Sequence, residues 1–328
     1  MSVRLDTVSR HGAGRPPAPG SAPRRKGRFG LTRLDIKLSP YMYIAPFFIV
    51  FAIFGFWPFL YTVWVSLHNW TLIGGNKGWL GGQNFADLLK DDQFWNSLKN
   101  TFAMFVLATI PQLLMALALA NVLNRRILAR TFFRMGIAVP IVTSAAVVGI
   151  VFSQLYGREY GIINWLADDV LHLGRIDWHA ELWPAWIAVA TMVNWQWTGY
   201  NALIYLAAMQ SIPRDVYESA ALDGASQLRQ FWSITVPMLR PTIIFTAIIS
   251  TIGGLQLFTE PVLYSSGAGS MHGGSLRQVQ TTTMYLYEVM FERKRIGYAG
   301  AIACVLFLII ILSSIVNYLI VRRINSEK

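Results

Sequence analysis

Five polar or aromatic residues occur inside or beside stretches of sequence that are otherwise apolar. Three lie in the charge-free stretch 182–213 at i, i+3 and i+7 spacing, and two lie four residues apart near a second stretch, 241–259. Each spacing places its members on one face of a helix. Amide and carboxylate groups can hydrogen-bond a polar solute, and an indole ring can stack on its apolar face. We therefore predict that these five residues line a small polar cavity: Asn194, Trp197, Asn201, Gln256 and Glu260.

A second group of residues lies in the polar segment 213–237, between two apolar stretches. Pro213 suits the first turn of a helix, and Glu218 lies near that turn, where the helix dipole favours negative charge. Gly224 permits a bend in the backbone, and Pro237 is expected to end a second short helix. We predict two short helices joined at a bend, with small side chains after Glu218 that would let a partner protein approach closely.

Long apolar helices must hold these residues in place. Of the 328 residues, 54% are hydrophobic and 14% are charged, whereas a soluble domain carries about 25% charged residues. Windows without Asp, Glu, Lys or Arg reach the length of roughly 20 residues that a membrane-spanning helix needs. These windows are 38–76, 100–124, 135–157, 182–213, 241–259 and 296–321. The expected fold is all-α, a polytopic membrane protein with six transmembrane helices at about 41–68, 100–123, 132–156, 185–210, 240–263 and 298–321.

The basic residues predict how these helices are oriented. The net charge is +11, and Lys and Arg concentrate in the N-terminal arm, in 125–134, in 211–240 and in the C-terminal tail. Cytoplasmic segments carry such an excess, so both termini are expected in the cytoplasm. The basic run 293–295 is an exception, because an even number of spans places it outside. This distribution favours a membrane over nucleic acid as the reason for the positive charge.

The chain is expected to divide into two regions. Residues 1–38 are rich in Arg, Pro, Gly and Ser and have few large apolar side chains. Such a segment cannot bury a core, so it is predicted to be a disordered, basic cytoplasmic tail. Residues 39–328 are predicted to form a single six-helix membrane domain.

Other roles stay open for the polar residues in the spans. Asn194, Gln196 and Asn201 could instead hydrogen-bond neighbouring helices, as polar side chains in membranes commonly do. Glu260 could lie at the outer end of its helix and contact an external protein. An ion-coupled secondary transporter for a small polar solute is the alternative class, although it would normally carry more ionisable groups inside its spans.

Several kinds of chemistry are excluded. The sequence lacks the Gly-x4-Gly-Lys-Ser/Thr loop that binds nucleotide phosphates, so the chain is not expected to hydrolyse ATP. A single cysteine, Cys304, permits neither an intrachain disulfide nor a cysteine-based metal site. His179 and Glu181 form half of a zinc deaminase signature, but no cysteine pair follows them. No catalytic residue, cofactor or metal is expected.

The segment 213–237 resembles the characteristic cytoplasmic loop of permeases in ABC importers. That pattern is Glu-Ala-Ala, three residues, Gly, nine residues and then Ile-x-Leu-Pro. This chain has Glu218-Ser219-Ala220, then Gly224, then Ile234-Thr235-Val236-Pro237, with every spacing kept. The segments 255–261, 285–288 and 297–302 also resemble the maltose-transporter-type, carbohydrate-uptake branch of these binding-protein-dependent permeases. The resemblance covers about 40–321.

The resemblance implies a type I permease architecture and a location in a bacterial or archaeal cytoplasmic membrane. It implies import of a sugar, a di- or oligosaccharide in this branch, with no catalysis by the permease chain. The implied partners are a second, homologous permease subunit, two ATP-binding subunits and an extracytoplasmic sugar-binding protein; a homodimeric permease stays open. The coupling loop, residues 211–238, would dock on the ATP-binding subunit through Glu218, Ser219, Ala220, Asp223, Gly224, Ile234 and Pro237.

Overall fold

The computed structural model describes residues 29–125, 128–265 and 270–326. Helices dominate, and they are interrupted by four single π-helical segments at Ala52–Phe56, Leu166–Val170, Phe231–Thr235 and Glu288–Glu292 and by a 3₁₀ turn at Ser270–His272. The α-helices are Phe29–Phe51 (α1), Trp57–Ser66 (α2), Gln83–Leu89 (α3), Asp92–Asn124 (α4), Arg130–Val142 (α5), Ala145–Leu155 (α6), Ile162–Trp165 (α7), Leu182–Gln210 (α8), Arg214–Leu222 (α9), Gln227–Gln230 (α10), Val236–Met238 (α11), Arg240–Leu255 (α12), Thr259–Tyr264 (α13), Thr282–Tyr287 (α14) and Ile296–Ser326 (α15).

Three helical stretches are long and apolar enough to cross a membrane: Ser39–Ser66, Asp92–Asn124 and Ile296–Leu319. Two bent pairs, α5 with α6 and Gln227–Met238 with α12, raise the number to as many as five if each pair is one span. By length and composition, the described residues therefore supply three to five candidate spans, and the predicted six are not reached. Helix α8 has 29 residues, but its Trp, Asn and Gln side chains make it too polar to qualify.

Two of the predicted helices are broken. The prediction of one helix over about 132–156 is wrong, because the chain bends by 94° between α5 and α6. Pro140 lacks an amide hydrogen, and Thr143 and Ser144 leave the helical conformation. The prediction of one helix over about 240–263 is also wrong. There α12 ends at Leu255, after two adjacent glycines that weaken a helix, and α13 starts only at Thr259.

The chain divides into two compact units, residues 1–58 and residues 59–328. The expected boundary was at residue 38, and the predicted disordered tail lies outside the described residues except for 29–38. That stretch is the start of α1 rather than a coil.

The centre of the second unit is the packing of α8 against α4. Small and medium side chains fill this contact, including Ala108 on α4 and Ala188 and Met192 on α8. Helix α5 crosses α8 at Gly199, where an added Cβ atom would overlap the carbonyl oxygen of Ile137. Only glycine permits so close an approach of two helix backbones. Asn194, Gln196 and Asn201 of α8 are thus buried among neighbouring helices.

A short antiparallel hairpin, β1 (His68–Thr71) and β2 (Gly75–Trp79), is the one departure from an all-α fold in the described residues. It pairs Thr71 with Gly75 and also bridges to Arg295, and the amide of Leu72 donates to the carbonyl of Lys294. The basic run 293–295 is therefore part of the hairpin's support. These contacts are made by the backbone, while the Arg293 side chain pairs with Glu288 and the Arg295 guanidinium lies over the ring of Tyr298.

Candidate functional site

A cavity of about 250 Å³ opens between α4, α8, α12 and α13. We call it the central cavity. Four of the five residues predicted from the sequence line it, namely Trp197, Asn201, Gln256 and Glu260. Two of these residues belong to α8, and the other two lie at the break between α12 and α13. The residues grouped by the sequence prediction thus come from two separate segments that the fold places around one cavity. The complete lining is Thr109, Gln112, Val193, Trp197, Tyr200, Asn201, Ile249, Ser250, Gly253, Gly254, Gln256, Leu257, Phe258, Thr259 and Glu260.

The walls of the central cavity combine aromatic faces with amide groups. The rings of Trp197 and Tyr200 lie 6.1 Å apart, nearly perpendicular to each other, and both side chains are partly exposed. Asn201 and Gln112 are buried beside them. Gln112 and Thr109 of α4 were missed by the sequence analysis, although both are polar residues in the charge-free window 100–124. This lining can stack a flat apolar surface and hydrogen-bond hydroxyl groups.

Non-helical backbone forms one wall of the central cavity. After Leu255 the chain leaves the helix, and Phe258 has an extended φ of −140°. The carbonyl of Leu257 stays bonded because Thr281 donates to it at 2.8 Å. Unwound backbone at membrane depth occurs where it is buried in protein or lines a cavity. Gln256 and Glu260 thus reach the cavity from either side of a break, and not from one helix face as their spacing predicted.

Asn194 does not line the central cavity, so that part of the prediction is wrong. It lies instead in a groove between α4, α5 and α8. One residue of α-helix turns the side-chain direction by about 100°, which separates Asn194 from the cavity-facing Val193. Val193 takes the predicted place, so the cavity-facing side of α8 is rotated from the one expected. Asn194 is 9% exposed, and its Oδ1 atom has no hydrogen-bond partner among the described residues.

The coupling loop folds as two short helices around Gly224, as its sequence predicts. Helix α9 ends in a paired set of hydrogen bonds, Gly224 N–H to Ala221 and Ala225 N–H to Ala220, which is the Schellman arrangement. Gly224 has φ of +78°, a left-handed conformation that side chains other than glycine resist. Ser226 then caps α10 by accepting from Arg229 N–H at 3.4 Å.

A side-chain hydrogen bond closes the bend of the coupling loop. The hydroxyl groups of Tyr217 and Thr235 lie 2.9 Å apart and join α9 to the second arm. That arm continues past Pro237 to Met238, so the turn into α12 comes two residues later than predicted, at Leu239. Tertiary contacts hold the extra turn, since Leu239 is fully buried.

The predicted docking residues differ in exposure. Glu218, Ser219, Asp223 and Gly224 are exposed, whereas Ala220, Ile234 and Pro237 are half-buried. Large apolar side chains lie exposed along the same loop, and these are Val216, Leu222, Leu228, Trp232 and Met238. Exposed apolar side chains grouped on one loop supply the apolar area that a protein interface uses. The loop thus presents both a charged group and an apolar area to a partner.

An ion-pair cluster that the sequence did not predict lies on the segment that follows the Gly- and Ser-rich loop. Glu288 is 2% exposed, and its oxygens lie 2.6 Å from Arg277 Nη1 and 2.6 Å from Arg293 Nη2. Gln280 also donates to it at 2.6 Å. We call these four residues the outer cluster. Burial by itself would raise the pKa of Glu288, but the two arginines and Gln280 outweigh it and hold that pKa below its ordinary value.

Three ligand-type atoms near the outer cluster could in principle hold a cation. His272, Glu288 and Glu292 bring their nitrogen and oxygen atoms within 4.8 Å of one another. His272 Nε2 lies 2.9 Å from Glu292. Two guanidinium groups already engage both oxygens of Glu288, however, and their positive charge opposes a metal ion. We therefore assign these residues to ion pairing.

A carboxylate at the start of α4 ties that helix to two others. Asp91 accepts hydrogen bonds from the hydroxyl groups of Tyr285, on α14, and Tyr298, on α15, the latter at 2.7 Å. It also caps α4 by accepting from Gln93 N–H at 2.9 Å. Burial raises the pKa of Asp91, but these hydrogen bonds outweigh burial and leave it below its ordinary value.

Comparison with known proteins places this arrangement in a family. Residues 104–326 match the family described as "Binding-protein-dependent transport system inner membrane component". The chain is 32% identical over 289 residues to the lactose transport system permease protein of Rhizobium radiobacter, covering 87% of this chain and 95% of the relative. The chain belongs to this family. It is therefore a permease subunit in a membrane, and ATP hydrolysis is carried out by a separate subunit.

A further relative supports the family of this permease, and a solved structure shows the same fold. An arabinooligosaccharides transport system permease protein of Halalkalibacterium halodurans is 30% identical over 85% of this chain and 86% of its own length. The structure of a bacterial ABC transporter that imports the acidic polysaccharide alginate contains a chain of the same fold. Its TM-score is 0.73 at 21% identity, covering 90% of the permease and 99% of that chain.

Proposed function

We propose that this permease forms half of the translocation path of an ATP-driven importer for a di- or oligosaccharide. The observation that carries the proposal is the lining of the central cavity, where Trp197 and Tyr200 offer ring faces beside the amides of Gln112 and Asn201. Sugars present alternating apolar faces and hydroxyl groups, which such a lining matches. Relatives of this permease are named for lactose, arabinooligosaccharides and trehalose/maltose.

The charge of the central cavity favours a neutral sugar over a phosphorylated solute. One relative, 28% identical, is named as an sn-glycerol-3-phosphate permease. Among the described residues that line the cavity, Glu260 is the one charged side chain, and no Lys, Arg or His is present. A phosphate group needs cationic or multiple N–H partners, and a carboxylate beside it would repel it. A neutral oligosaccharide avoids this cost.

Uptake measurements on cavity variants test the proposed function. In cells that depend on this permease, Trp197→Ala and Asn201→Ala should each lower uptake of a labelled disaccharide or oligosaccharide by about tenfold, because an aromatic stacking face or a buried hydrogen bond is lost. Asn194→Ala is the matched control, since it removes the same amide from α8 outside the cavity. Equal uptake in all three variants, or uptake of glycerol phosphate but of no sugar, would contradict the proposal.

We infer that the coupling loop, residues 211–238, docks on an ATP-binding subunit and transmits its motion. One permease chain offers one such loop, whereas ATP-binding subunits work as a pair. We therefore propose a complex of this permease, a second homologous permease, two ATP-binding subunits and an extracytoplasmic sugar-binding protein. A homodimeric permease is the alternative, and the mass of the purified complex distinguishes the two.

We propose six transmembrane spans with both termini in the cytoplasm of a bacterial or archaeal cell. Helix α8 would add the sixth span to the three long helices, the bent pair of α5 with α6, and α12, since its polar residues face the cavity and other helices rather than lipid. Reporter fusions should read alternately outside and inside, starting outside, after residues 77, 130, 172, 225, 270 and 328. A C-terminus outside the cell would refute this topology.

A further inference from the structure

Two arginines at the start of α5 converge on a single amide at the end of α8. Arg130 and Arg134 are four residues apart and so share a helix face. With the side-chain oxygen of Gln210 turned toward them, it accepts from Arg134 Nη2 at 2.6 Å and from Arg130 Nη2 at 2.9 Å. In the opposite orientation the NH₂ group of Gln210 would face the N–H donors of both arginines and could not hydrogen-bond to them. The side-chain oxygen of Gln210 is therefore placed toward the arginines.

The positive charge of this arginine pair is not neutralised within the described residues. No described carboxylate forms a salt bridge with Arg130 or Arg134. Each Nε atom is buried and has no hydrogen-bond partner in the part of the chain that the structure describes. Two like charges placed together, with donors left unused, are unfavourable unless an anion joins them. A phosphate group, with several acceptor oxygens, matches two guanidinium forks.

A groove with a mainly apolar lining lies on the same helix, at the residues that follow the arginine pair. It has a volume of about 660 Å³ and runs between α4, α5 and α8. Its first α5 residue, Gly136, comes two positions after Arg134, and Ile137 and Pro140 follow. Leu107, Pro111, Met115 and Leu119 form the α4 wall. Phe132 and Phe133 lie between the two arginines in the sequence, and both side chains are exposed. Exposed apolar side chains of this kind are typical of a helix surface that faces lipid.

We propose that Arg130, Arg134 and Gln210 bind the phosphate of an anionic phospholipid headgroup, with an acyl chain of that lipid in the apolar groove. Two guanidinium groups without a described carboxylate partner, close along α5 to an apolar groove, match the charged headgroup and the apolar chain of a phospholipid. Basic pockets between membrane helices bind acidic headgroups in this way. Gln210 directly precedes the coupling loop, so the bound lipid lies on the same side of the membrane as that loop.

The binding of phosphatidylglycerol to the purified transporter complex, measured by native mass spectrometry, tests this site. The double variant R130Q/R134Q should bind phosphatidylglycerol about tenfold or more weakly, because two charge-assisted contacts are lost. R130K/R134K keeps the charge and should recover part of the binding. R158Q/R175Q is the matched control, since it removes the same charge from exposed arginines that already have carboxylate partners, and its lipid binding should equal that of the unmodified complex.

Two further binding measurements distinguish a phospholipid from other ligands of the arginine pair. Phosphatidylcholine should bind equally to all variants, and excess inorganic phosphate should not displace phosphatidylglycerol, because free phosphate cannot use the groove. The proposal is overturned if R130Q/R134Q retains phosphatidylglycerol as well as the control does, or if inorganic phosphate displaces it. Recovery of the intact complex with its ATP-binding subunits checks that each variant is folded.

Discussion

Replacing Gly224 by leucine should lower ATP-driven uptake by about tenfold or more and weaken recovery of the ATP-binding subunits with the permease. Gly224 has φ of +78° and no atom within 4 Å of the position of a Cβ. A leucine there is strained by roughly 1–2 kcal/mol, and its side chain would project from the tip of the bend into the proposed interface. Uptake and the mass of the purified complex are the two measurements.

Gly174→Leu is the matched control for this prediction. Gly174 has φ of +77°, also with open space around its Cβ position, but it lies in the segment between α7 and α8, far along the chain from the coupling loop. The two variants thus carry the same backbone strain and differ in location. If Gly224→Leu transports and assembles as well as Gly174→Leu, the proposed role of the bend in coupling is wrong.

Replacing Glu288 by glutamine should destabilise the permease by about 2–4 kcal/mol, because Arg277 and Arg293 lose the charge that both of them contact. The two arginines are partly exposed. The loss in the free energy of unfolding is therefore smaller than the loss expected when a fully buried ion pair is broken. Thermal unfolding of the purified complex measures it. Glu292→Gln is the control: Glu292 is exposed and pairs with His272, and exposed pairs contribute little. Equal unfolding temperatures for the two variants would contradict the prediction.

Acid should reproduce the effect of Glu288→Gln in the unmodified protein. The pKa of Glu288 in the folded protein lies below its ordinary value of 4.5, so the folded state binds this proton less readily than the unfolded state does. The stabilisation is complete above pH 4.5 and disappears as the pH falls through the lowered folded pKa. Glu288→Gln lacks this titration, so its unfolding temperature should fall less on acidification.

The sequence predicts the coupling loop well because its signals are local. A proline, an acidic first turn and a glycine at the bend act within a few residues of each other, and the structure has the two helices that they predict. The long windows without charged residues likewise predict α4, α8 and α15, because the absence of charge can be read from each segment alone.

Features that depend on contacts between distant segments were not predicted. The rotation of α8 that excludes Asn194 from the central cavity is set by its packing on α4 and α5, which no single window reveals. The break after Leu255 is stabilised by Thr281, which bonds the carbonyl of Leu257. Asp91 and Tyr298 are 207 positions apart. Each of these contacts requires the folded chain before its partners can be recognised.

The contact of Gly199 with Ile137 limits how α5 can move relative to α8. With no room for even a methyl group, a shift of α5 along α8 by one helical turn would press the carbonyl of Ile137 against Trp195 or Leu203, whose side chains leave no such space. Sliding by a turn is therefore opposed in both directions. The hydrogen bonds of Arg130 and Arg134 to Gln210 hold the start of α5 against the end of α8, so the two helices are fixed at two separate points and should move as one body.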